Sequence, residues 1–594
     1  MLYLPMSITN IAAMKRLPYG ISDFSLLIKE DYYYVDKTRY IELLENQPRY
    51  LFLLRPRRFG KSLFMAMLET YYSVDYRARF DELFSGLYIW QHPTPSRNTY
   101  LALRFNFSEV TSNPDEVERS FRAYCNAVII RFVKKYEHLL GKEIWEELDR
   151  EEESPGLQLG KIARYISDKG CPHIYLLIDE YDNFTNTLLA TYGTERYRRT
   201  THGEGFIREF FNTIKAATTG PGAAIDRLFI TGVSPVTMDD VTSGFNIGTN
   251  ISLLPQFNGI IGFSTDEVRR MVGYYQSEGA LPSDVTVDGL LEEMKPWYDN
   301  YCFSEDASDE HMFNSDMALY FLNSYLQQQR PPRQMVDNNI RTDYGKLRHL
   351  VQVDRRLGKN TSVIQQLVSE GRVTASIATS FPAERMVETD NFKSLLFYFG
   401  MLSIQGTDFG DTILGIPNLT VREQLYTYLV EAYRDASLFT LDLSVLSDLV
   451  KGMALHGEWE PVFRYFAAEL ERQSAVREFI EGEAHVKGFL LAYLGLTRGY
   501  TILPEHESSK GYADFYMMPD LQRQPDIAYS YLVEVKYARR DATPAELAAL
   551  KEQAASQLSR YAADEKVQKS KGHTTLRLLI LLFRSWELEA EEVV

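Results

Sequence analysis

The sequence predicts an α/β protein in three parts: an N-terminal parallel sheet with helices on both faces, a helical middle region and a C-terminal α/β domain. Apolar runs at 50–54, 174–178 and 227–231 are typical of strands buried on both faces of a sheet. Helical segments separate these runs, and strands that alternate with helices form parallel sheets. Strand-like runs return after Gly499. The predicted domains are 1–263, 264–475 and 476–594.

The composition is that of a folded globular chain. Its 594 residues allow two to four domains, and the hydrophobic fraction of 45% and charged fraction of 24% are ordinary globular values. The apolar runs are too short to span a bilayer and the first residues lack the pattern of a secretion signal, so we expect neither a membrane anchor nor export. Three scattered cysteines, Cys125, Cys171 and Cys302, suit a reducing compartment, and the expected location is the cytoplasm.

The net charge of -17 argues against a protein that coats nucleic acid non-specifically, because phosphate binding needs positive charge. Any contact with nucleic acid must therefore be local. Basic residues between 536 and 577 are one candidate for such a patch, although a solvated helix face would carry the same residues. They are Arg539, Arg540, Lys551, Arg560, Lys566, Lys569 and Lys571.

Residues 55–62 lie between a predicted strand and a predicted helix. They match the pattern G-x-x-x-x-G-K-[ST] except at its first position, where Arg55 replaces glycine. Such a loop needs backbone N–H groups at a helix N-terminus around the phosphates, a lysine for the β and γ oxygens and a hydroxyl for Mg²⁺. The sequence therefore predicts binding of a nucleotide, by default ATP, with Mg²⁺. The predicted nucleotide-binding residues are Arg57, Arg58, Phe59, Gly60, Lys61, Ser62 and Leu63, with Ser62 also a metal ligand.

The apolar run at 174–178 ends in two acids, Asp179 and Glu180. In P-loop NTPases the first acid of such a pair holds Mg²⁺ and the second orients the attacking water. Asp179 is therefore predicted to bind nucleotide and metal, and Glu180 to be catalytic. Thr231 or Ser234, at the end of the next apolar run, could sense the γ phosphate, although a polar residue there is more often the start of a turn.

The character of the chain changes near Ser264. Residues 264–267 form a capping box, which predicts the start of a helix. A mostly helical pattern follows to about residue 484. The N-terminal sheet is therefore predicted to end before this point.

A second group of charged residues lies near the C-terminus. Asp514 precedes, by about twenty residues, an apolar run that contains Glu534 and Lys536. Alternate side chains of a strand share a face, so Glu534 and Lys536 point the same way. Asp514 and Glu534 are predicted to hold Mg²⁺ or Mn²⁺, while Lys536 orients or deprotonates a water nucleophile. The pattern is loose by itself, since a solvated strand can alternate Glu with Lys, and Glu507 is a competing ligand.

Together these motifs resemble the bacterial AAA-ATPase-like proteins that often carry a C-terminal PD-(D/E)xK domain. The shared signatures beyond the phosphate loop lie at 16–20, 34–38, 178–182, 263–268 and 297–299. In that family an arginine-rich loop usually replaces the first glycine. The resemblance implies a P-loop NTPase fold followed by a nuclease-like fold, in which a helical acid and a later glutamine support the metal site. The corresponding residues are Glu483 and Gln557, which are predicted as auxiliary catalytic residues.

Three functions remain open from the sequence. The leading one is ATP-regulated, metal-dependent cleavage of nucleic acid, chiefly DNA, in defence or DNA processing. The alternative is a nucleotide switch or scaffold whose C-terminal domain binds nucleic acid or a partner without cutting. The third is an NTPase that remodels protein partners. The oligomeric state is open, a homo-oligomer included, and no membrane partner is expected.

Overall fold

The computed structural model divides into two compact units. One comprises Met1–Val353 and Thr374–Asn418, and the other Asp354–Val373 and Leu419–Val594. The domain limits predicted before 264 and 476 stay predictions. The described residues are 14–148, 154–201, 205–220, 223–236, 247–337, 359–386, 388–435, 437, 439–473, 482–508, 511–584 and 587–593.

The first unit contains a parallel five-stranded sheet. Its strands are β1 Tyr50–Leu54, β2 Leu101–Asn106, β3 Ile174–Asp179, β4 Ile225–Gly232 and β5 Thr249–Asn250. The strand order is β2-β3-β4-β1-β5, and each pair is parallel. All of β3 is buried, so both faces of the sheet are covered there. The predicted strands are confirmed, whereas the two residues of β5 are too few to give an apolar pattern.

Ten helices connect or cover these strands in the described part of the first half of the chain. Helix α3 packs against β2 and β3, α6 against β2, and α10 against β4. The bounds are α1 Phe24–Lys29, α2 Tyr40–Glu45, α3 Lys61–Tyr72, α4 Phe80–Phe84, α5 Tyr88–Gln91, α6 Val117–Leu140, α7 Ile144–Glu147, α8 Pro155–Lys169, α9 Asn183–Thr201 and α10 Phe206–Thr218.

The middle of the chain is mainly helical, as predicted. The elements are β6 Phe263–Ser264, α11 Thr265–Ser277, α12 Val287–Tyr298, β7 Met312–Phe313, α13 Ser315–Gln328, α14 Lys359–Glu370, β8 Arg372–Ala375, α15 Thr389–Tyr398, β9 Ser403–Asp408 and β10 Asp411–Gly415. The capping box that begins α11 is confirmed. Strands β9 and β10 form an antiparallel hairpin. The sequence analysis missed it because its polar and glycine residues lack an apolar alternation.

The second unit contains a mixed five-stranded sheet in the order β11-β12-β13-β14-β15. Strands β13 and β14 are parallel and the other pairs antiparallel. The bounds are α16 Leu419–Asp435, α17 Leu443–His456, α18 Glu460–Arg472, α19 Glu483–Leu494, β11 Tyr500–Ser508, β12 Gly511–Pro519, β13 Tyr529–Ala538, α20 Pro544–Ala562, α21 Glu565–Ser570, β14 Thr575–Arg584 and β15 Glu587–Val593. Strand β15 was not predicted, since its frequent glutamates give little strand signal.

A glycine after α15 lies close against the phosphate loop. Gly400 has a φ of +79°, and a Cβ at this position would lie 2.8 Å from the Cβ of Pro56. The positive φ favours glycine, and the missing side chain leaves room for the proline ring. The position of the loop therefore depends on a residue more than three hundred positions away in the sequence.

We expect Gly400→Ala to destabilise the protein by roughly 1–3 kcal/mol more than Gly279→Ala. Gly279 is a matched control, because it also has a positive φ of +71° but no atom within 4 Å of a built Cβ. Both substitutions pay the backbone cost, and only the first meets Pro56. Urea unfolding of the two variants measures the difference, and equal destabilisation would contradict the contact.

Candidate functional site

The phosphate loop ends at the first turn of α3. Gly60 is the N-cap residue and has a left-handed φ of +95°, which glycine adopts without strain. The first N–H groups of a helix have no partner within the helix, so this turn offers donors to an anion. Ser62 and Leu63, the second and third residues of α3, line a cavity of about 470 Å³ with Gly60. The loop therefore presents its predicted anion-binding end to open space.

The Lys61 ammonium is held by the loop itself. Its Nζ donates to the carbonyl oxygens of Arg55, at 2.9 Å, and Pro56, at 2.8 Å. Burial lowers the pKa of Lys61, while the charges of Glu180 and Asp179 act in the opposite direction. The side chain also borders the cavity. A phosphate group there would exchange with the two carbonyl partners.

Arg55 is an anchor of the loop and is turned into the protein. Its guanidinium donates to the carbonyls of Leu54, Ser252 and Phe257 at 2.7–2.9 Å and lies 4.2 Å from the ring centre of Phe303. Only 1% of the residue is exposed, and burial lowers its pKa to about 9. The residue that replaces the usual glycine therefore fixes the loop to the segment around 252–257.

Phe59 also has a structural role. Its ring packs edge-on against Tyr301 and Phe303, with ring centres 4.9 and 5.6 Å away. The backbone N–H of Gly262 donates to its carbonyl at 2.9 Å. Phe59 borders the cavity as predicted for a loop residue, but its side chain serves the packing.

Two further arginines of the loop line the cavity. Arg57 Nη2 donates to Asn183 Oδ1 at 2.8 Å, and Arg58 Nη1 lies 3.6 Å from Asp316 Oδ2. Asp316 is in the first turn of α13, and its N–H donates to the carbonyl of Arg58. The two arginines thus connect the loop with α9 and α13. Sequence analysis did not single out Asn183 or Asp316, because neither belongs to a motif.

The paired acids occupy different surroundings at the end of β3. Asp179 is fully buried and accepts a hydrogen bond from Thr231 Oγ1 at 2.7 Å. Arg104 Nη2, on β2, lies 3.3 Å from Asp179 Oδ2 and 3.2 Å from the carbonyl of Ser62. Glu180 has a φ of +50° and borders the cavity, and burial raises its pKa. The sheet therefore brings Asp179 and Glu180 to the phosphate loop as predicted, and it adds Arg104, which the sequence did not reveal.

The predicted sensor residues are turned elsewhere. Thr231 is engaged with Asp179, and Ser234 is 1% exposed with its hydroxyl accepting from the N–H of Val236. Neither residue borders the cavity. The sensor assignment stays a prediction.

Several of the cavity residues outside the loop are apolar. Ile21 and Val35 contribute from the segments on either side of α1, Leu27 from α1 itself, and Phe263 and Met271 from β6 and α11. Apolar residues beside a phosphate-binding turn suit a ligand with a flat, weakly polar group and an anionic tail. For a divalent cation, Ser62 offers a hydroxyl oxygen at the cavity, whereas the predicted second ligand, Asp179, does not line the cavity and is engaged by Thr231 and Arg104.

The second site lies on β12 and β13. Phe515 pairs with Val533, and this register puts Asp514 opposite Glu534. The Asp514 N–H lies 3.4 Å from Glu534 Oε2, and the Val535 N–H donates to Asp514 Oδ2 at 2.8 Å. Lys536 Nζ donates to Glu534 Oε1 at 2.9 Å. The structure thus brings Asp514, Glu534 and Lys536 together, as the strand alternation predicted.

Helix α19 adds two charged residues to this group. Lys487 Nζ lies 3.2 Å from Asp514 Oδ1. Glu483, one turn earlier, accepts a hydrogen bond from the N–H of Tyr537, and the charges of Asp514, Lys536 and Lys487 act on it. The pKa of Glu483 is raised, chiefly by burial. We call these five residues, Glu483, Lys487, Asp514, Glu534 and Lys536, the β13 cluster.

Burial and mutual repulsion dominate the electrostatics of the β13 cluster. Glu534 is 3% exposed, and burial together with the charge of Asp514 raises its pKa to about 7, against the opposing effect of Lys536. The pKa of Lys536 is also raised: burial lowers it, but the hydrogen bond from Lys536 to Glu534 and the charges of Glu534, Asp514 and Glu483 together raise it more. Near neutral pH a neighbouring cation would favour the charged form of Glu534.

Gln557 lies on α20, which packs against β12, β13 and β14. Leu532, on the same face of β13 as Glu534, belongs to the apolar core that α20 covers. Gln557 Oε1 is buried without a hydrogen-bond partner among the described residues. Its auxiliary role stays a prediction, and the side chain of the competing Glu507 lies outside the described residues.

The cluster fits a hard divalent cation in its donor chemistry. Asp514 and Glu534 provide carboxylate oxygens, and Mg²⁺ is commonly held by one or two carboxylates with waters and a substrate phosphate completing its shell. Among the residues that the structure describes, no group of three or more His, Cys, Asp and Glu side chains is arranged to hold a metal ion. A cation at this site would therefore need ligands beyond the protein carboxylates.

The basic residues proposed as a nucleic-acid patch have partners of their own in several cases. Lys551 pairs with Glu589 at 3.0 Å and with Glu591 at 3.6 Å, and Lys571 donates to the carbonyl of Thr574. The patch stays a prediction. Across the described residues, no helix is both long and apolar enough to cross a membrane.

Comparison with known proteins finds a matching family model for the segment that contains each candidate site. Residues 18–242 match the family model described as predicted AAA-ATPase, and residues 481–593 match that of the PD-(D/E)XK nuclease superfamily. A protein of Azotobacter chroococcum mcd 1, described as an uncharacterized protein in the vnfD 5' region, is 26% identical over 300 residues, which are 49% of this chain and 50% of that protein. The chain thus spans about half the length of this curated relative. The chain joins a predicted AAA-ATPase domain to a domain of the PD-(D/E)XK nuclease superfamily.

Proposed function

We propose that this protein binds ATP with Mg²⁺ at the phosphate loop and uses the β13 cluster for metal-dependent cleavage of nucleic acid, chiefly DNA. Bound nucleotide regulates the cleavage. The observation that carries the proposal is the convergence of Asp514, Glu534 and Lys536 within one buried, hydrogen-bonded group. The biological setting would be defence or DNA processing.

The nucleotide assignment is supported by what surrounds the cavity. The N-terminal turn of α3, Lys61, Arg57 and Arg58 supply donors and positive charge for a triphosphate. The apolar residues of the cavity would take the base. The strands β1, β4 and β3 are parallel neighbours, with β4 in the middle. The loop after β1 and the acids at the end of β3 therefore lie near each other at the carboxyl ends of the strands.

Two cations of the loop have partners that a phosphate could replace. Lys61 would give up the carbonyls of Arg55 and Pro56, and Arg57 would give up Asn183. Glu180 borders the same cavity and could orient a water molecule for attack on the γ phosphate. Burial raises the pKa of Glu180, which makes its carboxylate a stronger base toward that water.

The side chains of the β13 cluster would supply the metal ligands and the positive charge that cleavage needs. Asp514 and Glu534 would bind a divalent cation, which when bound supplies Lewis acidity toward a scissile phosphate. The ammonium of Lys536 lies next to Glu534 and could orient the nucleophilic water and neutralise charge on the phosphate. Glu483, which interacts with the charges of Asp514 and Lys536, would be an auxiliary catalytic residue.

The alternative, a nucleotide switch with a binding-only C-terminal domain, is favoured by one observation. All four carboxylate oxygens of Asp514 and Glu534 already have hydrogen-bond partners in the protein. A domain with these bonds is complete without a cation. The experiments below separate the two functions.

Lys61→Ala should weaken ATP binding by roughly 30-fold to 1,000-fold, the loss expected when one partner of a buried charge interaction is removed. Lys393→Ala is the control, because Lys393 is a largely covered lysine that bonds Thr374 and Asp390 and does not border the cavity. Calorimetric titration with ATP and Mg²⁺ measures both. Unchanged affinity in Lys61→Ala would move the nucleotide site elsewhere.

Glu180→Gln should keep ATP affinity and lower the hydrolysis rate by about 10²-fold to 10⁴-fold, because the substitution removes the base but keeps the shape. Steady-state phosphate release checks this. Cleavage of DNA by the same variant tells whether binding or hydrolysis of ATP controls the second site. Wild-type turnover in Glu180→Gln would contradict the role of Glu180.

Glu534→Gln should lower cleavage of DNA in Mg²⁺ or Mn²⁺ by at least about 100-fold, since a carboxylate ligand is replaced by a neutral amide. Linear, circular and single-stranded DNA and RNA are the substrates, each with and without ATP. Glu589→Gln is the control, as Glu589 is exposed on β15 and pairs with Lys551. If the wild-type protein cuts none of these substrates but binds ATP, the switch function takes precedence.

A further inference from the structure

Lys487 is paired with Asp514, one of the two carboxylates proposed as metal ligands. Its Nζ lies 3.2 Å from Asp514 Oδ1, and the residue is 6% exposed. Lys487 and Glu483 are four residues apart on α19 and so share a helix face. The acid motif of β12 and β13 gives no hint of this lysine, because it comes from a separate helix.

The charges of the β13 cluster are almost balanced. With every group ionised, as a bound cation would favour, three carboxylates, of Glu483, Asp514 and Glu534, face two ammonium groups, of Lys487 and Lys536, which leaves one net negative charge. One divalent cation would turn this into one net positive charge, which suits a single phosphodiester. A second divalent cation would add an excess of positive charge to a buried site, which is unfavourable.

We infer that Lys487 is a positioning residue that serves as an internal counter-ion: it holds Asp514 while no metal is bound and limits the β13 cluster to one weakly held divalent cation. This inference rests on the metal-dependent function proposed above. Lysine is suited to this role, since its ammonium is a point charge on a flexible side chain and can move away from Asp514 when a cation binds. The cation in turn pairs with the oxygen that Lys487 releases.

A neutral residue at 487 should therefore tighten metal binding. Removing one positive charge a few ångströms from a bound cation raises affinity by at least about ten-fold. A residue that merely supported the fold would have the opposite effect, because its loss would loosen the ligands. The direction of the change in affinity separates the two roles.

The experiment is calorimetric titration of the full-length protein with Mn²⁺ alone at neutral pH. Lys487→Met should bind Mn²⁺ at least about ten-fold more tightly than wild type, whereas Lys487→Arg, which keeps the charge, should stay near wild type. Lys551→Met is the matched control, since it removes a lysine paired with carboxylates on β15. The tightened site should vanish in the double variant Lys487→Met/Glu534→Gln, which assigns it to the β13 cluster.

Thermal unfolding gives a second measurement. Metal-free Lys487→Met should melt below wild type, because Asp514 loses its counter-ion, and Mn²⁺ should raise its melting temperature more than that of wild type. Affinity in Lys487→Met that is equal to or weaker than wild type overturns the inference. If Lys487→Met binds tightly but wild type neither binds Mn²⁺ nor cuts DNA, the counter-ion role stands and the nuclease function fails. If wild type binds Mn²⁺ and cuts DNA but Lys487→Met binds Mn²⁺ no more tightly, the nuclease function stands and the counter-ion role fails.

Discussion

The candidate functional groups at both sites are buried charges, and several of them have a partner of opposite charge within the chain. Asp179 is fully buried and is met by Thr231 and Arg104. Glu534 is met by Lys536, and Asp514 by Lys487. Removing one partner of a buried pair costs roughly 3–5 kcal/mol, because the other charge is left uncompensated. Both units therefore depend on these pairs for stability before any ligand is considered.

Arg55 is a further buried charge, and it is compensated without a carboxylate. Its hydrogen bonds run to three carbonyl groups and its guanidinium lies over the Phe303 ring. Carbonyl dipoles and an aromatic face compensate a positive charge less fully than a carboxylate does, which agrees with its lowered pKa. The usual glycine would leave this loop free to adapt to the phosphates. Because Arg55 is anchored at 252–257, a shift of the phosphate loop would also disturb the packing of that segment.

Sequence patterns predicted those features that are local. The apolar runs of β1, β3 and β4, the capping box of α11 and the strand alternation at Glu534 and Lys536 all follow from neighbours in the chain. Arg104 and Lys487 were missed because each reaches its acid from another element, and no spacing in the sequence records such a contact. Strand β15 was missed for a different reason, since its glutamates carry no strand signal. Glu483 and Gln557 were found only through resemblance to a family.

The same partners that stabilise the protein give both sites a common response to ligands. On the proposed function, a triphosphate takes Lys61 from the loop carbonyls and Arg57 from Asn183, and a divalent cation takes Asp514 from Lys487. Binding is then an exchange of partners, so its net free energy is smaller than the new contacts alone would give. The released groups must also find new positions. If the proposed function holds, occupancy of either site would be linked to rearrangement of the side chains that the ligand displaces, which regulation by a ligand requires.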